Sequence, residues 1–379
     1  VIGDARAHEP QPAPIVAALP LTTPFVAPEE LARRVGRHDL VRLGANESSF
    51  GPPPAALAAM RASLERSAWY GDPESYELRT ALARKHGCAI ENLSVGAGID
   101  DVLGLLVRAY LAPGDVAVGA RGTYPTFAYH VAGYGGTFET IDYSPGGTID
   151  LEALAARARA TPRARIVYLA NPDNPSGSFA SRCDVAALVE ALPPHVLFVL
   201  DEAYADFVHA NDLIPDAIDP RIVRLRTFSK AYGLAGARVA YALGSPATIA
   251  NLQKIRNHYG VARAAQTGAL AALDEGEFVA SVVAEVARGR DDYAALARAS
   301  GTHTLPSHTN FVLFDAGTRA RGEALVARML ERGVFIRKPG APPLDRYVRV
   351  TVGTAPERAR FGAAFDDALR SLERDFPFA

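Results

Sequence analysis

Between residues 92 and 243, short apolar runs alternate with longer stretches whose apolar positions recur every three or four residues. The runs at 92–95, 116–118, 137–141, 165–169, 196–200, 222–227 and 239–243 predict strands, and the stretches 100–110, 125–133, 151–160 and 183–192 between them predict helices. Strands alternating with helices form a mostly parallel sheet covered on both faces. In such α/β sheets a ligand sits beyond the carboxyl ends of the strands.

The flanks read differently. Residues 10–28 are proline-rich and partly apolar, which predicts an extended arm; a helix at 28–35 follows, then a turn after Leu43-Gly44-Ala45-Asn46-Glu47. A further helix opens after Pro52-Pro53-Pro54, where proline suits the first turn. After Gly244 one long helical stretch is expected from about 246 through 274 and a second from 277 to 299. Strands at 310–315, 334–337 and 348–352 and helices at 323–332 and 355–376 then predict a smaller α+β unit. A chain of 379 residues exceeds one simple core. The expected division is an arm with part of the small domain over 1–44, a large domain over 45–245 and a small domain over 246–379.

Four segments at the predicted strand ends carry candidate chemistry. Thr227-Phe228-Ser229-Lys230-Ala231-Tyr232-Gly233 surrounds one lysine with hydroxyls and small residues, and Arg238 follows shortly. Such an amine can form a Schiff base with an aldehyde cofactor and afterwards move a proton. The Arg238 guanidinium would bind phosphate and help lower the lysine pKa. In Val199-Leu200-Asp201-Glu202-Ala203-Tyr204 a carboxylate ends a buried strand, where it needs a cationic partner. A pyridinium nitrogen is such a partner, and the pair keeps the ring an electron acceptor. Tyr204, and Asn174 in the double Asn-Pro turn Asn171-Pro172-Asp173-Asn174-Pro175, could each bond a ring hydroxyl. Asn174 and Asp201 lie 27 residues apart and Asp201 and Lys230 29 apart, each one strand–helix crossover, which returns them to the same sheet edge. Finally, Gly96-Ala97-Gly98-Ile99-Asp100 is a glycine-rich turn opening a helix, with backbone N–H groups for an anion. Tyr124, before Pro125, could stack on the ring. Singly these have plainer readings: Asp201 as a helix cap, the Asn-Pro turn as punctuation, Tyr124 as core. Their order and spacing together are specific. A Rossmann dehydrogenase fits poorly, since the turn lacks the third glycine and leaves Lys230 unexplained.

Composition narrows the partners. A formal net charge of −2 gives no basic excess for nucleic acid or an acidic membrane, and neither a helix-turn-helix nor a basic extension supports a DNA-binding regulator. The apolar runs at 196–200 and 282–286 fall far short of the ~20 residues a bilayer requires. The N-terminal segment lacks the basic start, unbroken apolar centre and cleavage site of a secretory signal. Two cysteines, Cys88 and Cys183, neither staple a chain of this length nor have metal-site spacing. No metal is expected, and a reducing compartment, the cytoplasm, is.

With these markers the sequence resembles the fold-type I pyridoxal-phosphate aminotransferases, the histidinol-phosphate aminotransferases most of all. The resemblance runs from about Leu43 to Thr354. It is carried by Asn46-Glu47 before Gly51-Pro52, Tyr70-Gly71-Asp72-Pro73, Asn174-Pro175-Ser176-Gly177, Asp201-Glu202-Ala203-Tyr204, Ser229-Lys230 with Arg238, and Arg349-Val350-Thr351-Val352-Gly353-Thr354. It implies a large domain with a mostly parallel sheet, a smaller α+β domain and pyridoxal 5'-phosphate as cofactor. Lys230 would bind the cofactor aldehyde and shuttle the Cα proton. Asp201 would pair with the ring nitrogen, Asn174 and Tyr204 with its hydroxyl, and Tyr124 would stack on the ring. Gly98, Ile99, Asp100, Thr227, Ser229 and Arg238 would hold the phosphate. Tyr70 would reach the cofactor phosphate of a second subunit, making a homodimer the active unit. Arg349 would clamp an α-carboxylate, Arg337 a substrate phosphate, and Asn46 and Asn310 would line the substrate pocket; without the family, Arg349 reads as a strand-surface arginine. The implied reaction is transamination from an amino donor, histidinol phosphate first, to a 2-oxo acid such as 2-oxoglutarate. Aromatic or other amino-acid aminotransferases, and a threonine-phosphate decarboxylase-like enzyme, share the fold. Three positions depart from the pattern: Thr23-Pro24-Phe25 lacks the arm tyrosine, Gly71 stands where proline is common, and Arg256-Asn257-His258-Tyr259-Gly260-Val261 replaces a proline-phenylalanine-asparagine run.

Overall fold

The computed structural model describes residues 10–20, 26–37 and 39–375; Thr23-Pro24-Phe25 and Phe376 lie outside them. The strands in chain order are β1 (Val41–Arg42), β2 (Leu93–Gly96), β3 (Val116–Ala120), β4 (Thr137–Ile141), β5 (Ala164–Ala170), β6 (Leu197–Asp201), β7 (Ile222–Thr227), β8 (Ala240–Leu243), β9 (Phe311–Asp315), β10 (Val334–Phe335) and β11 (Tyr347–Thr351). Seven of them form one sheet in the order β2-β8-β7-β6-β5-β3-β4. The contacts from β7 through β4 are parallel. Strand β8 alone is antiparallel to its neighbours β7 and β2. The carboxyl ends of β2, β3, β5, β6 and β7 therefore open on one edge.

Alternation explains why helices cover both faces. Ile166, Tyr168 and Ala170 of β5 join a core with helices Ile99–Tyr110 and Pro125–Gly133, while Val167 and Leu169 between them join a second core with helices Leu151–Ala160 and Arg182–Ala191. The expected parallel sheet is thus present, as are its four helices. Helix Tyr76–His86 was not anticipated.

One expectation after Gly244 changes. The single stretch over 246–274 is two helices, Pro246–Gln253 and Arg263–Ala272. Asn257 interrupts it by accepting from the Tyr259 N–H through Oδ1, at 3.2 Å, and from the Gly260 N–H through its carbonyl; asparagine and glycine favour such a local turn over helix. Both helices pack with the sheet: Ile249 and Leu252 against the face of helix Ile99–Tyr110, and Ala265, Ala269 and Ala272 against Leu78, Leu82 and Val95. The packing of the large sheet thus extends past residue 245. Beyond it, the antiparallel pair β9 and β11 and helices Gly276–Ala299, Arg319–Glu331 and Ala355–Asp375 enclose Tyr293, Phe311, Phe314, Phe361 and Phe365. Val41 and Leu43 insert into this core, and β1 pairs in parallel with β10. Tyr204, Phe207 and Ala231, from loops at the open edge of the large sheet, pack into it too. The two units meet where the strand ends gather. Among the described residues no helix is long and apolar enough to cross a membrane.

Candidate active site

A cavity of about 830 Å³ occupies this junction. Of the residues singled out from sequence, Asn46, Ile99, Asp100, Tyr124, Asn174, Asp201, Tyr204, Thr227, Ser229, Lys230, Arg238, Arg337 and Arg349 line it. Gly98 and Asn310 do not line it; Gly98 lies against Arg238, and Asn310 donates to the Asn46 carbonyl. Tyr70 lies elsewhere, on the surface.

Asp201 is the last residue of β6 and is buried. Its Oδ2 accepts from the Tyr168 hydroxyl at 2.8 Å and its Oδ1 from the Ala203 N–H at 3.0 Å. Burial pushes its pKa up to about 6, against the pull of these hydrogen bonds and of Lys230. A carboxylate that two donors do not fully stabilise, at the wall of a cavity, is suited to a cationic ligand atom.

Lys230 follows β7. Its Nζ donates to the Asn46 carbonyl at 3.2 Å and stands 5.5 Å from the centre of the Tyr204 ring. Asn46 itself adopts φ 55°, a left-handed conformation asparagine tolerates. It is held by its N–H on Thr351 Oγ1, by its Nδ2 on the Tyr204 hydroxyl at 2.8 Å, and by Asn310 Nδ2 on its carbonyl at 3.2 Å. Asn310 Oδ1 is buried with no hydrogen-bond partner. Gly233 turns the chain after Lys230 with φ 67°, where a Cβ would collide with the Gly51 carbonyl. That close approach brings the Asn46 loop under the lysine.

Another part of the wall carries groups that could hold an anion. Gly98, at φ 90°, opens helix Ile99–Tyr110, whose first N–H groups have no partner of their own within the helix. A Cβ at Gly98 would strike the Arg238 guanidinium. The Thr227 hydroxyl donates to Ser229 Oγ at 2.9 Å while accepting from the Ser229 N–H. Asp100 accepts from the Tyr124 hydroxyl at 2.7 Å and lies 3.4 Å from Arg238 Nη2, which orients the tyrosine ring and the guanidinium together.

Arg349, on β11, donates from Nη1 to Asn174 Oδ1 at 2.6 Å and from Nη2 to the Gly44 carbonyl at 3.0 Å, and lies 5.3 Å from the Phe311 ring centre. Its Nε is buried without a partner. Burial, helped by the charge on Arg337, lowers its pKa to about 10, so it stays cationic at neutral pH and favours an anion. Arg337 donates from Nη2 to the Val26 carbonyl at 2.9 Å, and its backbone pairs with that of Arg349. The cis bonds Asn171–Pro172 and Asn174–Pro175 shape the loop that carries Asn174. Tyr70 is 77% exposed and sits 4.6 Å from the Tyr259 ring, also largely exposed.

Three contributors escaped the sequence reading. Tyr168, fully buried, bonds Asp201 as described. Asp173 accepts from Thr123, Tyr143 and Ser176, tying the loops of Tyr124 and Asn174 together, and burial raises its pKa. Glu202 is clamped by Arg224 at 2.8 and 2.9 Å and by Arg226 at 2.8 Å. Apart from Asp173 with Ser176, three residues away in the same loop, each partnership joins different segments, and no spacing within one segment signals it.

The geometry can be set beside known proteins. The profile of the family "Aminotransferase class I and II" matches residues 38–364. Histidinol-phosphate aminotransferase 1 of Thiobacillus denitrificans is 37% identical over 373 residues, covering 96% of this chain and 95% of the relative. The crystal structure of histidinol-phosphate aminotransferase from Sinorhizobium meliloti in complex with pyridoxal-5'-phosphate superimposes with a TM-score of 0.93 at 42% identity, over 97% of this chain and all of that one. Aspartate aminotransferase from Thermus thermophilus with maleate superimposes with a TM-score of 0.77 at 25% identity, over 94% and 97% of the two chains. With most of its length matched by the family and by relatives of this identity, the chain belongs to the class I and II aminotransferases.

Proposed function

We propose that this aminotransferase holds pyridoxal 5'-phosphate in the cavity and transfers the amino group of histidinol phosphate to a 2-oxo acid, as a homodimer in the cytoplasm. The observation that carries the reading is the buried Asp201 carboxylate, short of a cation, lining one cavity with Arg238 and with Lys230, whose charge is near enough to lower its pKa. The donor set fits the group: a carboxylate for the ring nitrogen, a helix N-terminus with two hydroxyls and a guanidinium for the phosphate, and an amine for the aldehyde. Bound there, the cofactor supplies a carbon that receives the amino group and a cationic ring that draws off the electrons left when the Cα proton departs.

Asp201 holds the positive charge on that ring, and Asn174 and Tyr204 offer polar groups to its hydroxyl. Tyr124, fixed by Asp100, covers one face. Lys230 Nζ, once released from the Asn46 carbonyl, would take the Cα proton and deliver it to the cofactor carbon that keeps the amino group. Arg349, with Nε still open, receives the carboxylate of the 2-oxo acid through paired N–H groups. Arg337 receives the donor's phosphate. The exposed Trp69, Tyr70 and Tyr259 support an aromatic contact with a second copy. The two cysteines are both free, which agrees with a reducing compartment.

The test is a donor panel with 2-oxoglutarate as acceptor. Histidinol phosphate should yield glutamate faster than aromatic amino acids, and Lys230→Ala should abolish both turnover and borohydride fixation of the cofactor to the chain. Faster glutamate formation from an aromatic donor would overturn the substrate, release of carbon dioxide without glutamate the reaction, and turnover by the alanine variant the role of Lys230.

A further inference from the structure

We propose that Tyr168 is a positioning residue for Asp201, its phenol keeping the carboxylate ionised and turned toward the cavity. This rests on the reading of Asp201 as the partner of the cofactor ring. Asp201 pairs across the sheet with Ala170, and Tyr168 stands two positions back on β5, on the same face. The small Ala170 side chain leaves room for the long phenol to reach past it to Oδ2, at 2.8 Å. Among the described residues Tyr168 is the one side chain that donates to this carboxylate.

The phenol is itself held. Its ring stacks on Phe127, with centroids 4.4 Å apart and planes 14° apart, and Phe127 meets Phe138 edge-on at 5.4 Å. Tyr168 is 1% exposed, so water cannot replace the hydroxyl if it is removed. Burial first, then the Asp201 charge, holds its pKa well above the ordinary range, so it remains a donor wherever Asp201 is charged. The other groups bearing on Asp201 are the Ala203 N–H from its own loop, Lys230 after β7, which favours the charged form, and Asp100 at the helix N-terminus, which opposes it. Tyr124, on the cavity side, feels the Asp201 charge and is neutral, burial raising its pKa. Against burial and Asp100, a charge-assisted hydrogen bond from Tyr168 is a decisive contribution.

The experiment is equilibrium binding of pyridoxal phosphate to the cofactor-free full chain across pH, with melting of the same samples. Tyr168→Phe keeps the stacked ring and removes only the hydroxyl. Cofactor affinity should fall about tenfold, and the pH below which binding is lost should rise by about one unit, because the charged carboxylate has lost a donor. Replacing Tyr168 by 3-fluorotyrosine, a more acidic donor of nearly the same size, should move that pH down, which keeps the test intact if the phenylalanine variant folds poorly. In an Asp201→Asn background the Tyr168→Phe change should no longer move the pH profile. An unchanged profile in both Tyr168 variants, or weaker binding without any displacement of the profile, overturns the proposal. If Asp201→Asn alone leaves affinity untouched, the parent reading of Asp201 fails instead.

Discussion

At Asp201 burial and ligand binding pull in opposite directions. Its folded pKa of about 6 lies above the ordinary 3.8, so the cofactor-free protein binds the extra proton more tightly than the unfolded chain does. The associated stability is complete below pH 4 and is lost as pH rises through 6, on the order of 3 kcal/mol. Cofactor-free Asp201→Asn should therefore melt higher than the parent at pH 8, with the difference gone at pH 4, and should bind cofactor less tightly; equal melting at pH 8 would contradict this. Gly98→Ala would strain a positive φ and displace Arg238. Cofactor affinity should fall tenfold or more, read by titration, with the site otherwise intact. Arg349→Lys would replace a planar fork, seated on Asn174 and Gly44, by a point charge. A drop of about a hundredfold in kcat/KM for the 2-oxo acid, about 3 kcal/mol, is expected from steady-state kinetics, with cofactor affinity unchanged.

At the scale of elements, the parallel strands make the site by ending together. The ends of β2, β5, β6 and β7 and the residues just beyond them supply Gly98 and Asp100, Asn174, Asp201 with Tyr204, and Lys230, each within a few positions of a strand end. Strands β6 and β7 are further locked by Glu202, a residue 2% exposed whose carboxylate is bracketed by Arg224 and Arg226. Burial alone would raise its pKa, but the two guanidiniums outweigh that and hold it below the ordinary range. Glu202→Gln takes the ion-pair partner from Arg226 and leaves Arg224 with Asp216 alone, so the chain should lose roughly 3–5 kcal/mol by urea unfolding. A loss under 1 kcal/mol would mean the clamp relaxes into solvent. Because Asp201 is the preceding residue, the same variant should weaken cofactor binding as well.

At the scale of the whole molecule, the cavity belongs to neither unit alone. The large sheet brings Asp201, Lys230 and the groups that could hold an anion; the second unit brings Arg337 and Arg349; and Asn46 joins them, bonded to Thr351 and Asn310 on one side and to Tyr204 and Lys230 on the other. Tyr70 is left out of this chain's own cavity, and we propose that it serves a second copy. Mixing Lys230→Ala with Tyr70→Phe subunits tests this. If Tyr70 crosses the interface, mixed dimers contain one fully wild-type site and regain activity beyond either parent. If it acts within its own chain, mixing restores nothing.

Much of this was legible in the residues. Alternation of apolar runs with helical stretches determined the parallel sheet, because burial on both faces demands it, and crossover spacing put Asn174, Asp201 and Lys230 on one edge. The glycine-rich segment at 96–98 marked a turn, and at Gly98 its backbone leaves no room for a side chain. What the residues alone did not determine were contacts between strands and units. Tyr168 on Asp201, the Arg224–Glu202–Arg226 clamp and Asp173 as a hub depend on side chains far apart in sequence meeting in a buried space. The break near Asn257 was hidden because helical periodicity continues on both sides of it, and the reach of the large sheet's packing because helix Arg263–Ala272 packs back on the sheet. Local pattern settles what each segment becomes; only close packing in three dimensions settles which charges and hydroxyls face one another, since their energies depend on distance and burial rather than order along the chain.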